Sequence, residues 1–93
     1  MDRSHDLGTG RTTRQMRAAK RDSVFIVGNR NMVDYARRLA EGIGRDDLKI
    51  VALNWLEQDN WLGRTFSGIV IDHDLELTPR QQELFDMAMR QVR

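Results

Sequence analysis

Ser23-Val24-Phe25-Ile26-Val27-Gly28 has no polar residue between its ends. A strand with one wet face alternates apolar and polar residues. A run that is apolar at every position is buried on both faces, as in a parallel sheet. Two further segments contain a shorter run of this character, over 50–53 and 69–71. One is Leu48-Lys49-Ile50-Val51-Ala52-Leu53; the other is Thr65-Phe66-Ser67-Gly68-Ile69-Val70-Ile71-Asp72, apolar over 69–71 until it ends on an acid. Strands of this kind need an apolar helix face on each side, so helix-forming segments must lie between or around them.

Those segments are present. From about Met32 to Glu41, the apolar positions Met32, Ala36, Leu39, Ala40 and Ile43 fall on one helical face, with Asn31 as N-cap and Gly42 and Gly44 to close the helix. Thr78-Pro79-Arg80-Gln81 has Thr at the cap, Pro at the first helical position and Gln at the third, which predicts a capping box. Leu84, Phe85, Ala88 and Val92 then give an apolar face to the C-terminus. A first helix, capped by Thr9 or Thr12, runs to about Arg21, with Met16 and Ala19 inward. Asn54 to Gly63, which holds Trp55, Leu56, Trp61 and Leu62, reads as an extended connection or hairpin. The order helix, strand, helix, strand, strand, helix predicts a small α/β three-layer sandwich. Its sheet is mostly parallel, of about three strands, with helices on its faces.

A chain of 93 residues allows one domain. Residues 1–8 are polar and read as a flexible N-terminal segment, leaving residues 9–93 as the single α/β domain. The absence of cysteine excludes disulfides and thiolate metal sites and fits a cytoplasmic location. No apolar run approaches the ~20 residues of a membrane span, so no membrane contact is expected. His5 and His73 are too few and too separated for a zinc site. Charge is uneven. Residues 1–22 hold six basic and three acidic residues, a balance of +3, within a chain whose net charge is +1. Arg14, Arg17, Lys20 and Arg21 therefore offer a face for phosphates of nucleotide or nucleic acid, or simply a solvated helix side.

Gly8-Thr9-Gly10-Arg11-Thr12-Thr13 stands ahead of that basic helix. Glycines let backbone N–H groups approach an anion, a helix start adds the positive end of its dipole, and a cation and hydroxyls complete a phosphate and magnesium site. Gly10-Arg11-Thr12 fits the last three positions of the phosphate-loop pattern, with Arg in place of Lys and His5 where the first glycine belongs. Asp72, at the end of its apolar strand, puts a carboxylate at the rim where ligands bind open α/β sheets. His73 and Asp74 beside it are candidates for acid or base work. Trp55 and Trp61 read as core packing, a protein contact or base-stacking residues.

In these segments the chain resembles P-loop NTPases of the helicase and terminase type. Gly10-Arg11-Thr12-Thr13 looks like their first motif, Val24 to Asn29 like the next strand–helix unit, and Gly63 to Asp72 like the approach to their magnesium-binding strand. The layout is similar to small ATPase-like proteins of actinobacterial phages. The resemblance implies ATP and magnesium as ligands. Gly8, Gly10, Arg11, Thr12 and Thr13 would then bind phosphate, and Thr12 and Asp72 would hold magnesium, with His73 or Asp74 in the place of the catalytic glutamate. It also implies weak or no hydrolysis, since no arginine finger is identifiable. Two other readings stand beside this one. The first is an interaction module that meets a host or phage protein or a second copy of itself. The second is a nucleic-acid binder working through the basic first helix.

Overall fold

The computed structural model describes residues 6–58, 61–73 and 75–92. Its elements are helix α1 (Asp6–Ala18), strand β1 (Val24–Val27), helix α2 (Arg30–Gly42), strand β2 (Lys49–Ala52), a 3-10 turn (Leu53–Glu57), strand β3 (Ile69–Ile71) and helix α3 (Pro79–Met89). The strands form one parallel sheet in the order β2-β1-β3. Central β1 is buried at all four positions, as its unbroken apolar run requires.

Strand parity divides the core. Val24, Ile26, Val51, Ile69 and Ile71 face one layer, made of the 3-10 turn, Trp61 and α3. Phe25, Val27, Ile50 and Val70 face the other, made of α1 and α2, where Met16, Ala36 and Ala40 meet them. The α/β class, the parallel sheet and the sandwich layout agree with the sequence reading. The capping box of α3 is also present: Thr78 accepts from Gln81 N–H, and Gln81 accepts from Thr78 N–H.

Three local expectations change. Helix α2 is capped by Asn29 rather than Asn31: Asn29 is extended (φ −155°) and its side chain accepts from Met32 N–H at 3.1 Å. The strand ends at Val27, so the first available Asn takes the cap and the helix begins at Arg30. Residues 53–57 form the 3-10 turn in place of an extended connection or hairpin, because Trp55 and Leu56 are both buried and a strand would have sent them to opposite faces. Helix α1 begins at Asp6, ahead of Thr9 and Thr12, so residues 6–8 of the expected flexible segment are helical. Residues 1–5 lie outside the described residues.

Arg45 ties α1 to this core. It follows α2, whose end is closed by Gly44 in the left-handed region (φ +77°). Its guanidinium donates to the carbonyls of Met16, Arg17 and Lys20 at the C-terminal end of α1. A cation there also meets the negative end of the helix dipole. The same group makes a two-pronged pair with Asp47 at 3.0 and 3.1 Å, and Asp47 accepts in addition from Asp22 N–H at 2.7 Å. The Arg45 hydrogen bond, then the one from Asp22, holds the Asp47 carboxyl well below the usual carboxylate range. A depressed carboxyl pKa stabilises the fold above the unfolded value near ~4 and loses that contribution as pH falls through the folded value. Acid titration from pH ~4 downward is therefore expected to loosen the Arg45 clamp, seen as a falling melting temperature that Asp47→Asn flattens.

Between β1 and β3 one close approach is testable. A Cβ placed on Gly68 would meet Ser23 Oγ at 2.8 Å, while the next contact, Ser23 Cβ, is at 3.7 Å. Ser23 is fully buried and its hydroxyl has no hydrogen-bond partner among the described residues. Gly68→Ala is expected to cost about 1–3 kcal/mol by overpacking. Ser23→Ala removes the offending oxygen, so the double variant should recover most of that loss. A double-mutant cycle from urea melts checks it, and additive losses would refute the contact.

Candidate functional site at the end of β3

Thr12, Gln15 and Met16 follow one another at helical spacing on the inner side of α1, and Ala19 just past its end continues the stripe. Met16 is fully buried among Phe25, Val27, Ala36 and Ala40, and this anchors the helix across the α1/α2 side of the sheet. One turn earlier, the same side brings Thr12 to the end of β3. Asp72 has the parity of Val70, so its side chain points to that layer too; its N–H continues the ladder by donating to Ile26 O at 2.9 Å. The two meet: Thr12 Oγ1 donates to Asp72 Oδ1 at 3.0 Å, with both residues 6% exposed.

Around this pair the side chains are ordered. His73 Nδ1 lies 3.1 Å from the same Asp72 Oδ1. The Gln15 amide donates to Ile71 O at 2.9 Å and accepts from His73 N–H at 3.0 Å, so it grips the backbone on both sides of Asp72. Gln15 was not anticipated. Its only sequence signal is a polar residue on an otherwise inward-facing stripe. Leu75 packs close to the end of β1, where a Cβ on Gly28 would meet its Cδ2 at 3.1 Å.

The other expected site residues are placed differently. Gly8 to Thr13 form part of α1, not a loop, so the N–H groups from Gly10 onward are committed to helical hydrogen bonds. Among the described residues, only the first-turn N–H groups of residues 6–8 lack helical acceptors. Docking of Thr12 and Met16 outweighs the cost of roughly 1 kcal/mol for each helical glycine. Gly10 is exposed, with open space where a Cβ would stand. Arg11 is exposed and Thr13 half-buried. Asp74 lies outside the described residues. Trp55 and Trp61 are buried, so neither presents a stacking face.

Chemically, the pair combines a hydroxyl and a carboxylate at a strand's carboxyl end, within reach of a helix that carries free cations on its outer side. Among the described residues no group of three or more His, Asp or Glu could cage a metal. Such a pair suits magnesium, which keeps several waters and takes one or two carboxylates with substrate phosphates. No described helix is long and apolar enough to cross a membrane. No protein-family model, curated protein or solved structure matches the chain.

Proposed function

We propose that this chain is a P-loop-like nucleotide-binding domain with weak or no hydrolysis. The observation that carries the reading is the buried Thr12–Asp72 hydrogen bond, made across 60 residues of sequence. A hydroxyl next to the glycines and an acid ending a parallel strand are the two groups that hold magnesium between phosphate and protein in P-loop sites; here glycines and hydroxyl lie in one helix. Thr12 and Asp72 would hold the metal, which supplies charge to neutralise bound phosphates. The free N–H groups of the first turn of α1 and Arg11 would meet the phosphates themselves. Arg11 binds as a forked, bulky donor rather than a point charge, which suits contact from the outside over a close wrap. His73 follows the acid where such sites carry a catalytic carboxylate, and its Nδ1 lies 3.1 Å from Asp72 Oδ1.

Calorimetric titration with ATP and magnesium tests the reading. Asp72→Asn keeps the acceptor for Thr12 but removes the charge. It is expected to weaken magnesium-dependent nucleotide binding tenfold or more, while binding in the presence of EDTA is unchanged. No heat and no thermal shift at millimolar nucleotide would sink the reading.

A second reading, polyanion binding, rests on α1 and the segment after it, where Arg11, Arg14, Arg17, Lys20 and Arg21 are all exposed. Oligonucleotide added to the same cell would then bind with an affinity that falls steeply with salt.

A further inference from the structure

We infer that this chain forms a two-fold symmetric dimer by antiparallel pairing of β2 with β2 of a second copy. Strand β2 is a sheet edge, with no partner on its outer side among the described residues. Lys49 N–H donates to Ser23 O, so Lys49 and Val51 turn their backbone groups toward β1. By alternation, Ile50 and Ala52 present theirs outward, together with Leu48 C=O. A groove of about 380 Å³ runs beside the upper half of this edge, between α2 and the 3-10 turn. A second hollow of about 200 Å³ continues it below.

The wall of this groove is self-complementary. Arg30, Asp34, Arg37 and Glu41 recur at spacings of four, three and four, a single stripe along α2, and all four are exposed. Arg30, Asp34 and Arg37 line the upper groove with residues 50–52; Arg37 and Glu41 line the lower one with Leu48 and Ile50. The charges alternate along the stripe. An antiparallel copy, turned about the point midway between Asp34 and Arg37, sets Arg30 against Glu41 of the partner subunit and Asp34 against Arg37 of the partner subunit. Each of the four contacts then joins opposite charges. A parallel copy in register sets like against like, which disfavours it.

The strand has the same centre. Since Arg37 and Ile50 are shared by both hollows, the midpoint of the stripe stands about level with Ile50. Pairing Ile50 with Ile50 of the partner subunit makes two hydrogen bonds. Ala52 N–H to Leu48 C=O of the partner subunit, made twice, adds two more. One symmetry axis thus serves both the backbone edge and the charged stripe, as an isologous contact requires. Pairing also covers the exposed edge, which otherwise invites unregulated strand addition.

Sedimentation equilibrium on the whole chain, at tens of micromolar and low salt, tests this with two charge variants. The parent is expected at twice the monomer mass, with weaker association as salt rises. R30E/R37E makes the stripe wholly acidic and D34R/E41R makes it wholly basic; each alone should be monomeric, with melting curves reporting that it remains folded. Mixed in equal amounts, they should form a one-to-one heterodimer. A parent that stays monomeric at every concentration overturns the proposal and leaves the edge to a different strand. So does a mixture of folded variants that fails to associate, or a single variant that dimerises as the parent does. Nucleotide binding plays no part in the test, so it stands or falls apart from the proposed ligand.

Discussion

Met16→Ala is expected to cost about 2–5 kcal/mol, a large share of the roughly 5–15 kcal/mol that holds a domain of this kind folded. Met16 is fully buried and, among the described side chains of α1, is the one in the core cluster formed with Phe25, Val27, Ala36, Ala40, Leu48 and Ile50. Among the described residues, the other ties of α1 are hydrogen bonds: Arg45 at one end, and Thr12 and Gln15 at the end of β3. The loss should therefore be directional. Amides of α1 are expected to exchange far faster than those of β1, and Thr12 should part from Asp72 before the sheet melts. Urea melts give the magnitude and hydrogen exchange gives the location. A uniform loss of protection across α1, β1 and α3 would show instead that α1 belongs to a single cooperative unit with the sheet. Met16→Leu, close in volume, should cost less than ~1.5 kcal/mol.

Trp61→Ala should be comparably severe, at about 3–5 kcal/mol. Trp61 is the largest fully buried side chain, 1% exposed, and lies in the layer opposite α1 with Trp55, Leu56, Leu84 and Ala88. Its indole N–H donates to Leu56 O at 2.9 Å in a buried setting, which pins Trp61 back against the 3-10 turn. Trp61→Phe separates the two contributions. It keeps most of the apolar bulk but leaves the Leu56 carbonyl without this donor, a loss of about 1–3 kcal/mol. If Phe were as costly as Ala, the hydrogen bond rather than the packing would dominate. Because Trp55 packs edge-on against Phe66 with ring centroids 5.7 Å apart, and Phe66 bridges to Val92, a collapse at position 61 should also free the C-terminal end of the chain. The shift in urea midpoint, with an unchanged slope, is the measurement.

The arrangement of elements was legible because each rests on local chemistry. Unbroken apolar runs over 24–27, 50–52 and 69–71 read as strands of a covered parallel sheet. The Thr78-Pro79 start of α3 needs no tertiary contact to act as a cap. Local chemistry was ambiguous where two solutions cost nearly the same. Asn29 and Asn31 are equally good caps, and the choice fell to where β1 ends. The sequence over 54–63 has no single period, so burial of Trp55, Leu56 and Trp61 decided the shape of its described residues.

The candidate site shows the same division. The sequence by itself determined that a hydroxyl-bearing segment after two glycines and an acid ending an apolar strand both exist, and that Asp72 shares parity with Val70. Only the tertiary structure decided that Thr12 and Asp72 touch, that Gln15 brackets Asp72, and that Arg45 caps α1 from 25 to 29 residues away. It also decided that residues 8–13 are helix rather than loop. The physical reason is that glycine permits many backbone conformations and selects none, so its state is set by what the neighbouring side chains can bury. Thr12 and Met16 reach the sheet only from a helix. The choice was made by contacts distant in sequence, which no local pattern encodes.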